Sequence, residues 1–177
     1  MNGQEQIAEK NAIMSQLCAL ALACGLTRAF SVQFSTCGSG VIVWEVGATD
    51  GLHSTCHFEP DPQPTVDAAI GFTMDQLAVF LRALRDTPEG DGNLLDRTSL
   101  LCTTELTDGL THSNQDYPIV IAGLGGGRLR GGYHYRSGSL ENTGRGVLSA
   151  LRGAGVDVAS FGADAGYVTD PIYEVLT

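Results

Sequence analysis

Positive charge is scarce in this sequence. Across 177 residues, ten lysines and arginines stand against 20 aspartates and glutamates, a formal net charge of −10. That balance argues against nucleic acid as a partner, because its phosphates are repelled unless a local basic stripe overcomes the field. Long apolar runs are lacking too. Hydrophobic residues make up 43% of the chain, yet no run approaches the roughly 18 to 20 residues of a membrane helix. The longest, residues 17–24, lies inside an amphipathic pattern, so no membrane span is expected. Among Cys18, Cys24, Cys37, Cys56 and Cys102 no pair forms Cys-x-x-Cys, which argues against a zinc ribbon, a thioredoxin site and haem attachment. The opening Met-Asn-Gly-Gln-Glu-Gln is polar and has no basic region, so it does not resemble a signal peptide. It leaves the compartment open.

The length fits one domain with a real core. Ile7, Met14, Leu17, Cys18 and Ala21 recur at helical spacing and Gly25 follows as a C-cap, predicting a first helix with those residues inward. Phe30, Val32 and Phe34 alternate with Ser31, Gln33 and Ser35, predicting a strand over 29–35. Gly38-Ser39-Gly40 turns into a second predicted strand, 41–46. Residues 47–64 are rich in Gly, Asp and Pro and predict a loop. Thr65 is placed to cap a helix that runs to Arg85, with Asp67 favourably near its amino terminus. A turn over 86–92, a strand that holds 100–102 and ends at Thr104 or Glu105, a short buried strand at 118–122 and a last helix at 143–152 complete the chain. The order α, β, β, α, β, β, α predicts an α/β sheet flanked by helices.

Cys18, Cys24 and Cys102 fall in apolar periodic segments and are expected to pack as core thiols. Cys37 and Cys56 flank turn-rich loops. In an oxidising compartment they could bridge, and a bridge would favour a periplasmic or secreted protein.

Several constellations carry chemistry. His112 follows Glu105 and Asp108 within one loop, so imidazole and carboxylates could converge on a divalent ion such as Zn, Ca or Mn. The alternative is a loop histidine that hydrogen-bonds backbone. His53 and His57 stand four residues apart. A helix would put both on one face, but the Gly and Pro around them predict a loop, covering a metal or substrate pocket or simply solvated. Glutamate is missing after His53, so this is no zincin motif. Arg128, Arg130, His134 and Arg136 form the one basic cluster, suited either to an oxyanion or to a β-hairpin with solvated arginines. Gly123-Leu124-Gly125-Gly126-Gly127 follows a strand, but two further glycines at 131 and 132 disfavour the helix that a dinucleotide fingerprint requires. No nucleotide cofactor is expected.

The stretch from Asn93-Leu94-Leu95-Asp96-Arg97-Thr98 to Thr103-Thr104-Glu105, then Thr111-His112-Ser113 and 116–123, resembles the alkaline phosphatase and sulfatase superfamily. There a strand delivers metal-binding residues at its carboxyl end and a final histidine ligand precedes the next strand. The run from His112 through Leu-Arg-Gly-Gly-Tyr-His-Tyr-Arg at 129–136, with Ser160-Phe161-Gly162, is similar to the bacterial domain-of-unknown-function family 1552. The resemblance is carried mostly by residues after 93. It implies that residues 1–177 are the carboxyl-terminal portion of a larger alkaline-phosphatase-like fold, with a partial sheet and with Glu105 and His112 as metal ligands.

Two departures shape the functional expectation. The superfamily's strand end carries an Asp-His pair where this chain has Glu105-Leu106. The nucleophile and first metal carboxylates belong to the superfamily's amino-terminal half, which has no counterpart here. The resemblance therefore implies a non-catalytic, degenerate subunit that acts in binding or assembly. The alternative is a metal-dependent hydrolase of phosphate or sulfate esters, or the carboxyl-terminal part of one. A halved sheet would leave Val32, Phe34, Ile42 and Trp44 poorly covered, so a homo-oligomer or a partner chain completing the sheet is expected.

Overall fold

A run of Ala, Leu, Met and Gln, all strong helix formers, folds as helix α1, Ile7–Ala23. Its end is a Schellman motif. Gly25 takes φ +67°, its N–H donates to Leu22 O at 2.9 Å, and Leu26 N–H donates to Ala21 O at 2.9 Å, satisfying carbonyls the helix leaves over. The computed structural model describes residues 6–177. They form mixed α/β structure in two compact units, one containing the chain up to Leu84 with Glu105–Asn114, the other Arg85–Thr104 with Gln115–Thr177.

In the first unit, α1 does not turn its predicted face inward. Asn11, Ser15 and Ala19 are buried instead. The cause is polar: Asn11 Nδ2 donates to the backbone oxygen of Gln76 at 2.9 Å and to its Oε1 at 3.1 Å. This rotation leaves Cys18 half-buried and Cys24 exposed, so neither is the core thiol expected; Cys102 is likewise only half-buried.

Neither predicted strand between residues 29 and 46 forms. The chain there is irregular, closed by a 3₁₀ turn at Trp44–Val46. Alternation alone does not make a strand without a ladder partner. Here Phe30 packs edge-on against Phe80, with ring centroids 5.5 Å apart. The sheet edge expected at these residues is therefore not formed, while Val32, Phe34 and Trp44 are exposed and Ile42 is half-buried. Val41 O accepts from Leu52 N at 2.9 Å, holding this segment to the start of helix α2.

Helix α2, Leu52–Phe58, occupies the middle of the predicted loop. The three prolines at 60, 62 and 64 all come after it, so they end it without interrupting it. Helix α3, Pro64–Arg85, buries Leu77, Phe80 and Leu84. Its first amides are not capped by Thr65. The Glu59 carboxylate takes the N–H groups of Thr65 and Val66 at 3.1 Å. The segment Glu105–Asn114 belongs to this unit and doubles back on itself, with Thr107 N donating to Ser113 O at 2.8 Å.

In the second unit, β1 (Pro88–Glu89) and β2 (Gly92–Asn93) make a minimal hairpin. The Asn93 side chain then caps α4, Leu94–Arg97, by accepting from Asp96 N at 3.0 Å. Strands β3 (Leu100–Thr103) and β4 (Ile119–Ala122) pair antiparallel, Leu100 opposite Ala122 and Thr103 opposite Ile119. Helix α5, Gly144–Gly153, lies against both and buries Leu148, Ser149 and Ala150. β4 is only partly covered, with Val120 exposed. The predicted hairpin over 128–136 is not formed. Leu129 bridges Leu176 instead, and Arg130 N donates to Val175 O. Among the described residues the strands make two separate two-stranded sheets.

A candidate three-histidine metal centre

Because α2 is helical, His53 and His57 stand one turn apart on the same face. Their rings meet edge to face with centroids 4.8 Å apart. His112 reaches the same point from the segment Glu105–Asn114. Its ring centroid lies 5.0 Å from that of His57 and 6.0 Å from that of His53. The turn that delivers it is built by Asp108, whose Oδ1 accepts from Leu110 N at 2.8 Å and Thr111 N at 3.0 Å. These backbone bonds, with a smaller contribution from His112, hold the Asp108 carboxyl below its usual range. His112 itself sits at φ +55°, a left-handed conformation that the surrounding turn enforces.

One donor nitrogen from each ring lies within 4.8 Å of the other two. His57 Nε2 and His112 Nε2 are 3.1 Å apart. Tetrahedral zinc with bonds of about 2.0–2.1 Å puts ligand nitrogens about 3.3 Å apart, so this pair already has the spacing of two ligands. The His53 donor nitrogen lies within 4.8 Å of both, so only a small inward adjustment of its ring is needed to complete three-nitrogen ligation. The orientation of His53 is set from behind, where its Nδ1 lies 2.8 Å from Cys37 O. With the proton on Nδ1, Nε2 keeps a lone pair for a metal, the usual outer-shell arrangement for a histidine ligand. His53 and His57 are half-buried and His112 is exposed, so one side of the centre faces solvent.

The carboxylates expected as ligands do other work. Glu105 Oε2 accepts from Cys37 N in a short hydrogen bond, so Glu105 and His53 grip the two backbone groups of one residue. Asp108 serves the turn before His112. Neither joins the three nitrogens as a donor. Cys37 and Cys56 are both free thiols. Cys56 Sγ packs on Gly109, where a Cβ would come within 2.9 Å of the sulfur, and burial pushes its thiol upward in pKa.

The basic cluster is dispersed over protein acceptors. Arg128 Nη1 donates to Gly125 O at 3.0 Å and Arg136 pairs with Asp116 at 3.4 Å, while Arg130 and His134 are exposed. Gly123, Gly125, Gly126 and Gly127 all have positive φ and form a turn rather than a helix start. Sequence reasoning missed Cys37 as the backbone anchor behind His53, and it missed Arg145. Arg145 pairs with Glu141 at 2.6 Å and lines a cavity of about 520 Å³ with Tyr167, Asp170 and Tyr173. No local pattern marks either. The chain matches no known protein-family model, no curated protein and no solved structure.

Proposed function

We propose that this chain binds a divalent transition metal at His53, His57 and His112, and that it acts in binding or assembly and not as an ester hydrolase. The observation that carries the proposal is the convergence of three imidazoles from segments 55 residues apart. Three neutral nitrogen donors suit zinc, with copper and nickel close behind, and suit calcium or manganese poorly. The half-buried pair from α2 and the exposed third ligand would leave an open coordination position.

Preference for binding over hydrolysis rests on charge. Residues 29–81 and 98–127, which supply all three ligands, contain no lysine or arginine. A phosphoryl or sulfuryl group would meet no guanidinium from these stretches to steady its developing charge. The ion's own double charge would be offset in part by Glu105 and Asp108. Hydrolysis is the second reading, favoured by the solvent-facing side, where a bound water would be activated. Descent from an alkaline-phosphatase-like fold, through the domain-of-unknown-function family 1552, belongs to the same proposal and rests on the resemblance of residues 94–136.

Calorimetric titration of the metal-free chain with zinc tests the reading, together with cobalt absorption spectra as a report of nitrogen ligation. One equivalent bound by the native chain, and weakened binding in His57→Ala and His112→Ala, is expected. Unchanged affinity in both variants would sink it. Zinc-dependent turnover of aryl phosphates or sulfates, lost in the same variants, would select the second reading.

A further inference from the structure

Helix α1 is turned inside out. Its buried residues are Asn11, Ser15 and Ala19, while Ile13, Met14, Leu17 and Leu20 are 51–59% exposed. Four large apolar side chains on one exposed helix face are a cost that a covering surface removes. Their order is regular. Ile13, Leu17, Leu20 and Cys24 follow intervals of four, three and four, and all four are exposed. That is the seam spacing of two helices wound on each other. No charged residue occurs from Asn11 to Thr27. In a chain of net charge −10, such a stretch lets two copies meet without bringing like charges together.

We infer that α1 is a homodimer seam, packed antiparallel on α1 of a second copy about a twofold axis between residues 18 and 19. In that register facing residue numbers sum to 37. Leu17 of one copy faces Leu20 of the other, and Ile13 faces Cys24, so the seam is self-complementary as a twofold interface must be. Glu9, exposed in the first turn, comes opposite the region of Arg28, exposed just beyond the helix end. The pair occurs twice by symmetry. A parallel arrangement would instead set Glu9 against Glu9 and align the two helix dipoles. With Leu26, which is 80% exposed, the seam removes roughly 500 Å² per copy and about 1,000 Å² in all, the lower bound for a specific interface. A membrane surface fits less well, since helices that lie on anionic lipid carry a basic polar face and α1 has Lys10 alone.

Light scattering of the full chain at micromolar concentration should give twice the chain mass of 18.6 kDa. Leu17→Glu places a charge at the centre of the seam twice. It should weaken dimerisation at least about a hundredfold and leave far-ultraviolet circular dichroism unchanged, because Leu17 is exposed within its own copy. Ile13→Cys, oxidised and mapped by mass spectrometry, should link residue 13 of one copy to Cys24 of the other, and the added change Cys24→Ser should abolish the link. Glu9→Arg should weaken the dimer, and Glu9→Arg combined with Arg28→Glu should restore it. A native chain that stays monomeric, a Leu17→Glu variant that stays dimeric, or a Cys24–Cys24 link in the native chain would overturn the inference. So would a monomeric chain that sediments with phosphatidylcholine–phosphatidylglycerol vesicles.

Discussion

His57 Nε2 and His112 Nε2 lie 3.1 Å apart although 55 residues separate them in the chain. Two imidazole nitrogens at that distance either share a proton or share a metal ion. If they share a metal, zinc ties α2 to the segment Glu105–Asn114, and ligand binding to the folded state must raise stability. At a hundredfold excess over the dissociation constant the gain is about 2.7 kcal/mol. Thermal melts with zinc and with chelator should show this difference in the native chain and in His134→Ala, and should lose it in His57→Ala. An equal zinc effect in all three would place the metal elsewhere.

Glu105 predicts a subtler effect. Its carboxylate holds Cys37 N, and Cys37 O in turn orients His53. Outer-shell losses of this type cost about 10–100-fold in metal affinity. Glu105→Ala should therefore weaken zinc by about tenfold, whereas Glu105→Gln keeps an acceptor oxygen and should retain most of the affinity. If both variants lose affinity equally, the carboxylate is acting through its charge or as a ligand, and not through Cys37.

Much of this fold could be anticipated where local rules decide. Helices α1, α3 and α5 have both periodicity and termini, and β3 and β4 are β-branched or apolar runs between turns. Residues 29–35 alternate as a strand does and 41–46 form a mostly apolar run, but neither pattern can report whether a ladder partner exists. The inward face of α1 depends on a hydrogen bond from Asn11 to Gln76, 65 residues away, and no window on the sequence contains both. The candidate site divides in the same way. All three histidines stood out as residues, but the fate of 47–64 hid the helix that aligns two of them. The carboxylates nearest His112 in sequence turned out to support backbone rather than join the cluster.

The pair Glu141–Arg145 fixes an acid limb. The Glu141 carboxyl sits below its ordinary value of 4.5, first because the Tyr135 hydroxyl donates to it and then because Arg145 lies beside it. A lowered carboxyl contributes stability that is fully present above the unfolded value and is lost as pH falls through the folded one. Melting temperature followed from pH 7 down to pH 3 should thus drop more steeply in the native chain than in Glu141→Gln, and the two curves should converge at the acid end. Tyr135 is raised above its ordinary value of 10, so its share has the opposite sign and is lost as pH rises past that point. Parallel acid limbs for the two proteins would remove Glu141 from the account.

The glycine run 123–127 separates two causes of glycine dependence, and a pair of alanine substitutions tests them. Gly123 has φ +92°, and a Cβ there would fall 2.1 Å from Thr98 O and 2.8 Å from Leu95 O. Those oxygens are backbone and cannot swing aside. The approach is also held from both sides, since Leu124 N donates to Leu95 O and Gly125 N to Thr98 O. Gly127 has nearly the same φ, +93°, with nothing within 4 Å of an added Cβ. Gly127→Ala therefore pays only for the left-handed backbone, about 1 kcal/mol. Gly123→Ala pays for that and for a backbone collision, and should cost more than about 3 kcal/mol or fail to fold. Urea denaturation of both variants measures the difference. Equal and small losses would mean that the turn relaxes freely and that the glycines are kept open for some other reason, such as a ligand approaching the backbone. A large gap between the two makes the run a packing device, which fits the bonds already joining it to residues 95–98.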